Sequence, residues 1–484
     1  MLELVENCQI FTPQKNAIFL LNKLGYKKDI YNKKVMENSC GDGNILIEIV
    51  KRYIVDCLNH NFSKSEIKKL IEENIYAAEI DKIHLTKCKK RLDDLSAFYD
   101  LPKIKWNIIN DNILDYHFDF KFDYVIGNPP YIVYRKLPKQ LQKSLRNNFI
   151  SCRDGQFDYC YAFIEFGVNI LNGQGKLGYL IPNSIFKNKF ANNLRELIKP
   201  FVKEIYDYAG LRQFENALTS TAILILDKKI SKTKKIIYRS AETGSRILLK
   251  RNELAGKWIF SDKVMRQGKK SFGDYFEVKN TIATLRNDIY VLKDCCLGKD
   301  GYIYSQGRKF EKDLLFKAVA PKEKSVNGNE MIIFPYKIIE GKILKFKENE
   351  LLEKYPCIYN YLLSNKEELL KRASEDNAQW FEYGRSQAIN YLFKKMLLVS
   401  TVHTKQIKVY EIDESCIAYS GIFIVSKDKN IDLSLAKSIL TSDELQEFLI
   451  LHGINTGAGG SSVRLSVKDF KNYYFKSEEV KESA

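Results

Sequence analysis

Through its first 230 residues the chain alternates short apolar runs with longer stretches of helical spacing. Lys34-Val35-Met36-Glu37 runs into a Gly-containing turn, and apolar positions from Ile45 to Ile54 then recur at the spacing of a buried helix face. Further runs of strand length follow at Asn74 to Glu79, Trp106 to Ile109, Phe122 to Ile126, Gly178 to Ile181 and Ala222 to Leu226. Strands alternating with helices predict an α/β fold with an open, mostly parallel sheet. Such sheets bind ligands beyond the carboxyl ends of their strands, and here the chemically suggestive residues fall at those ends. A lysine cluster, Lys228 to Lys235, interrupts the pattern and is the expected boundary between a first domain, 1–230, and a second, 231–484. The second is expected to be mixed α+β, with β-like runs at Met331 to Phe334, Met396 to Val402 and Ile417 to Val425 among polar helices.

Composition narrows the class without naming a function. The chain has 484 residues, 45% hydrophobic and 28% charged, the make-up of a soluble globular protein with room for two or three cores. No stretch approaches the roughly 20 apolar residues of a membrane span. Met1-Leu2-Glu3-Leu4-Val5-Glu6 lacks the basic start and apolar run of a signal peptide, so a cytoplasmic location and no membrane partner are expected. Ten scattered cysteines form no Cys-x-x-Cys pair and only five histidines are present, so reduced thiols and no metal are expected. The formal charge of +17 favours a polyanionic partner. It is spread evenly, with 34 basic and 27 acidic residues in 1–230 against 43 and 33 in the remainder, so charge alone says little.

Four strand ends carry the chemistry. Glu37-Asn38-Ser39-Cys40-Gly41-Asp42-Gly43-Asn44 lies between a strand and a helix, where two glycines permit a sharp turn and close approach of a ligand. No Gly-Lys-Ser/Thr follows, so this is not a phosphate-cradling loop of the Walker kind. Glu79-Ile80-Asp81 closes the second strand, where a carboxylate can accept from both ribose hydroxyls or simply open the next helix. Asn110-Asp111-Asn112 ends the third, as a turn or as an acceptor for an adenine amino group. The fourth, Phe122 to Gly127, runs into Asn128-Pro129-Pro130-Tyr131. Consecutive prolines stiffen that backbone, so the Asn128 amide and the next carbonyl can accept both hydrogens of a planar amino group while Tyr131 stacks on its ring.

Phe11-Thr12-Pro13, Glu37-x-x-Cys40-Gly41-x-Gly43, Glu79-Ile80-Asp81, Asp111 and Asn128-Pro129-Pro130-Tyr131, in that order, resemble the gamma class of bacterial DNA adenine-N6 methyltransferases of restriction–modification systems. The resemblance covers roughly residues 8–228 and implies a Rossmann-like methyltransferase sheet followed by a target-recognition domain. It implies S-adenosylmethionine as cofactor, with Thr12, Ser39, Cys40, Gly41 and Gly43 at its methionine moiety. Glu79 would take the ribose, Ile80 and Asp111 the cofactor adenine, and Asn128 with Pro129 and Pro130 the target amino group. Tyr131 would stack on one face of an extruded base and Phe214 on the other, while Asp158 and Asn183 would shape the pocket.

In the second half Trp380-Phe381-Glu382-Tyr383-Gly384-Arg385 and Asn455 to Ser462 stand out. Arg385, Ser461 and Arg464 are the candidate DNA contacts, of the kind that position a backbone rather than read bases. The implied partner is double-stranded DNA, with a separate restriction endonuclease as an accompanying partner, no fused nuclease, and a monomer as the expected state. Competing readings are methylation of ribosomal RNA adenine or of a release-factor glutamine, and a catalytically silent DNA-binding specificity protein. The roughly 250 residues after the catalytic segment favour DNA.

Overall fold

A computed structural model describes residues 12–208, 220–230, 235–261, 270–404, 406–456 and 462–475. The chain divides into two compact units, one of 1–264 with 454–462 and one of 265–453 with 463–484.

The first unit is built on a nine-stranded sheet of order β3-β2-β1-β4-β5-β7-β6-β8-β9. Its strands are β1 Val35–Glu37, β2 Ile75–Ala78, β3 Asn107–Ile109, β4 Phe122–Gly127, β5 Leu171–Pro182, β6 Val202–Asp207, β7 Thr221–Asp227, β8 Lys235–Ser240 and β9 Arg246–Lys250. From β3 to β5 every pairing is parallel. β7 then lies antiparallel to both β5 and β6. The predicted parallel α/β sheet is therefore present, extended by an antiparallel flank.

Alternate residues of each strand feed opposite faces. Val35, Ile223 and Ile225 belong to a core with the helices Gln14–Leu24, Asn44–Asn59 and Lys64–Asn74. Met36, Leu224 and Leu226 belong to another, with the helices Cys160–Ile170 and Asn192–Ile198. Helices thus cover both faces, which is why the strands read as near-continuous apolar runs rather than alternating ones. Local signals set the helix starts. Ser63 and Glu66 form a capping box before Lys64–Asn74, and Asp81 accepts from the N–H groups of Ile83 and His84 before Lys82–Phe98.

The sheet does not stop at the lysine cluster. β8 pairs in parallel with β6 and β9 closes the edge, which carries the first unit past residue 230 to 264. In the second unit, Phe276–Asn280, Ile422–Ser426, Met396–Val399 and Val409–Ile412 make one antiparallel four-stranded sheet. The run Ile417 to Val425 is not one strand. It breaks at Gly421, whose φ is +106°, so that Cys416–Ala418 joins Leu315–Val319 in a different sheet. Met396 to Val402 divides likewise, and its tail Val402–His403 pairs with Val463 and Arg464.

Candidate active site

The chain passes from β1 outward to β2 and β3, then returns across β1 to β4, which puts a topological switch at the carboxyl ends of β1 and β4. A solvent-open cleft of about 1140 Å³ sits there. Thr12, Ser39, Cys40, Gly41, Glu79, Ile80, Asp111, Asn128, Pro129, Pro130 and Tyr131 all line it. Segments more than a hundred residues apart in sequence therefore meet at one site.

The glycine loop is shaped by its surroundings. Gly43 has φ +90°, and a Cβ there would stand 2.7 Å from Cys88 Sγ, so backbone conformation and space both demand glycine. The Gly41 N–H and the Asp81 N–H donate to the two oxygens of Glu79, at 2.8 Å each. Burial raises the Glu79 carboxyl above its ordinary pKa, and these backbone donors act against that rise. The acidic pair thus divides its work: Glu79 faces the cleft and Asp81 caps a helix. Arg91 donates to Asp42 O at 2.7 Å and to Asn44 Oδ1 at 2.8 Å, holding the loop from behind.

Glu37 is 1% exposed, and its Oε2 finds no hydrogen-bond donor among the described residues. Burial, and then the neighbouring Cys88, Glu79 and Asp42, push its carboxyl well above the ordinary glutamate range. A buried acceptor lacking a donor on a cleft wall suits an ammonium group, and the methionine moiety of S-adenosylmethionine carries one. Glu79 offers a carboxylate for vicinal hydroxyls, Ile80 is half-buried, and Asp111 is exposed at the end of β3. The donor set present here fits that cofactor.

Opposite the loop, the Asn128 amide is tethered at both ends. Its Nδ2 donates to Thr12 Oγ1 at 3.2 Å, and its Oδ1 accepts from the Tyr131 hydroxyl at 2.7 Å. Ser39 Oγ donates to the Asn128 carbonyl at 3.2 Å, and Asn44 Nδ2 to the Thr12 carbonyl at 3.1 Å. The glycine loop and the Asn-Pro-Pro-Tyr turn are in this way one hydrogen-bonded assembly. Burial drives the Tyr131 hydroxyl well above its ordinary pKa, so it stays a neutral donor.

Other expected residues are placed differently. Asp158 and Asn183 do not line the cleft. Asp158 accepts from the Cys160 N–H at 3.1 Å in a bridge to Val133, which pins the chain leaving Tyr131. Asn183 ends β5, where it donates to Asp207 and Ser220 at 3.2 and 3.1 Å. Phe11, Phe214 and Ser461 lie outside the described residues. Arg385 and Arg464 are exposed in the second unit, whereas Phe381, Glu382 and Tyr383 beside Arg385 are buried. Sequence reasoning missed the apolar wall made by Leu137, Pro138, Leu141, Tyr159 and Phe163. The spacing of Leu141 and Leu145 in the helix Lys139–Asn148 was a usable signal for the first part of it. No helix among the described residues is long and apolar enough to cross a membrane.

A ligand cleft at the switch point, a glycine loop, a buried strand-end carboxylate and a fixed Asn-Pro-Pro-Tyr wall define a fold of the S-adenosylmethionine-dependent methyltransferase class. Residues 18–214 match the family profile described as Eco57I restriction-modification methylase. The chain is 24% identical to the type II restriction enzyme and methyltransferase RM.Eco57I of Escherichia coli, over 88% of this chain and 52% of that one. It is 27% identical to the type II methyltransferase M.BstVI of Geobacillus stearothermophilus, over 46% of this chain and 42% of that one. The chain thus spans about half the length of these curated relatives. The solved structure of the type IIL restriction-modification enzyme MmeI in complex with DNA superposes with a TM-score of 0.63 at 13% identity, covering 95% of this chain and 64% of that one, a likeness of fold. The matched segment is thus similar to methyltransferases of restriction–modification systems.

Proposed function

We propose that the chain is a site-specific DNA methyltransferase that moves a methyl group from S-adenosylmethionine to the N6 amino group of an adenine extruded from duplex DNA. The observation that carries this reading is the Asn128 amide, held at both ends on the cleft wall that faces Glu37 and Glu79. The bound cofactor supplies an already electrophilic methyl group, so the protein's task is alignment. Asn128 Oδ1 and the Pro129 carbonyl accept the two amino hydrogens and aim the nitrogen lone pair. The Tyr131 hydroxyl now on Asn128 Oδ1 gives way to the amine, and the Tyr131 ring stacks on the base. Extrusion costs a few kcal/mol and stacking returns about 1–3 kcal/mol, so Tyr131 offsets much of it. The second half, 231–484, serves target recognition, and Arg385 and Arg464 are its exposed candidate contacts. The relative named restriction enzyme and methyltransferase supports a nuclease activity that works alongside this one.

Expression in a methylation-free host followed by modification-sensitive sequencing tests the reading. The expected result is N6-methyladenine confined to one short motif and lost with Asn128→Ala. Methyl transfer to RNA or protein alone overturns it.

A further inference from the structure

Between Tyr124 and Arg153 the chain carries six cations and no aspartate or glutamate. These are Arg135, Lys136, Lys139, Lys143, Arg146 and Arg153, and they supply +6 where the whole of 1–230 nets +7. This concentration of charge follows directly on Tyr131. Leu137, Pro138 and Leu141, which alternate with the cations, line the cleft itself.

The local structure holds this segment against the catalytic turn. Gln142 Nε2 donates to Tyr134 O at 3.0 Å and to Leu137 O at 2.8 Å. The Arg146 guanidinium donates to Arg153 O and Gly155 O at 2.6 Å each and lies over the Tyr134 and Phe157 rings. Arg146 is therefore structural. Arg135, Lys136, Lys139 and Lys143 are exposed, and none has a carboxylate partner among the described residues. In the helix Lys139–Asn148, Lys139 and Lys143 stand one turn apart, about 6 Å, on a stretch whose Leu141 and Leu145 turn inward. Exposed cations without carboxylate partners on two successive short elements, the turn Tyr134–Lys136 and the helix Lys139–Asn148, beside residues that line a cleft, complement the phosphates of a nucleic-acid backbone.

We propose that Arg135, Lys136, Lys139 and Lys143 form a strip that grips the sugar–phosphate backbone of duplex DNA beside the cleft, next to the nucleotide being extruded. This rests on the DNA reading above and adds to it a contact surface within the methyltransferase unit itself. The strip holds the backbone while Tyr131 and Asn128 act on the base, and it carries no sequence preference.

The test is a salt series of binding by the full chain to a fluorescein-labelled duplex of random sequence, with methylation of plasmid DNA measured in parallel. The variant R135Q/K136Q/K139Q/K143Q is expected to bind at least tenfold more weakly near 0.1 M salt. The slope of log affinity against log salt is expected to become shallower by about 3.6, since each of the four phosphate contacts contributes about 0.9. The control K82Q/K87Q/K90Q, on exposed positions of the helix Lys82–Phe98, removes comparable charge elsewhere and is expected to lose less than 1 unit of slope. If the quadruple variant is unstable, K139Q/K143Q alone is expected to lose about 2 units. Unchanged binding by the strip variants, equal losses in the control, or a strip-dependent preference for RNA of the same length each overturn the proposal. Wild-type protein that methylates DNA while the strip variant binds and methylates equally well refutes the strip and leaves the function standing. Strip-dependent duplex binding with no methylated adenine supports the strip and refutes the function.

Discussion

Replacing Thr12 by valine removes one atom that matters, the hydroxyl oxygen accepting from Asn128 Nδ2 at 3.2 Å, and keeps the volume of a side chain that is 5% exposed. The bond from Asn44 Nδ2 goes to the Thr12 backbone carbonyl and survives. What is lost is one hydrogen bond that orients the Asn128 amide, so that group is held less firmly about its terminal torsion. A neutral hydrogen bond contributes about 0.5–1.5 kcal/mol, and somewhat more where the group it leaves behind is partly buried. Because the amide must present its oxygen to the amine in the transition state, about 1–2 kcal/mol of this loss should appear in the chemical step, roughly 5- to 30-fold in kcat. Single-turnover methylation at saturating cofactor and DNA measures it, with Thr12→Ser as the conservative partner. Serine keeps the acceptor and is expected to retain most of the rate. A Thr12→Val enzyme whose kcat is intact and whose only defect is a raised KM for cofactor refutes the tether, because the side chain would then merely line the pocket. Failure of serine to rescue points the same way.

Glu37 gives a prediction in pH. Its carboxyl is raised above the ordinary value of 4.5, so the folded protein keeps a proton that the unfolded chain releases. Stability from this group is complete below about pH 4.5 and falls as pH climbs toward the raised value. Cofactor-free protein should therefore lose more Tm between pH 5 and about 8 than Glu37→Gln does, by calorimetry, and parallel curves would refute a raised carboxyl. Saturating S-adenosylmethionine should shrink that difference by supplying an ammonium partner. At Tyr131 the ring and the hydroxyl separate: Tyr131→Phe should keep kcat/KM for DNA within about threefold, whereas Tyr131→Ala should lose roughly 10- to 100-fold through stacking. Equal losses in both would make the hydroxyl, not the ring, the working group. Gly43→Ala should lower stability by about 1–3 kcal/mol and weaken cofactor binding, through both the positive φ and the Cys88 contact. Adding Cys88→Ala should recover only the steric part, and full recovery would show that backbone strain plays no role.

How much of this could be read in the chain depended on whether a residue's signal was local. β1, β2 and β4 are short and largely buried, β3 is half-buried, and each is ended or followed by a polar or glycine residue, so the ends of their apolar runs coincide with the lining of the cleft. Glu79 and Asn128 were legible for that reason. The apolar wall was not, because Phe163 sits in Cys160–Ile170, a helix buried nearly all round, where periodicity does not show which side meets a cavity. Asp158 and Asn183 are each polar and near a strand or turn end, and their hydrogen bonds go to Cys160, Asp207 and Ser220 rather than into the cleft, so they act beside it and not on its lining. The lysines of 228–235 had the composition of a linker, yet Lys235 opens β8, which pairs with both β6 and β9 but is only half-buried along most of its length and so tolerates an exposed charge at its first position.

The strip at 135–143 belongs to a third kind. Its cations are plain in the sequence, but a count over 230 residues diluted them, since acids elsewhere in the unit cancel nearly all the remaining positive charge. Only when the cleft assigns Leu137 and Leu141 to its wall does the charge between them acquire a location. A uniform excess of lysine and a local run of six cations without an acid carry different physical consequences at the same net charge. Exposed charges are screened over about 8–10 Å at physiological salt, so only cations clustered beside the site can act on the backbone of a base being drawn into it.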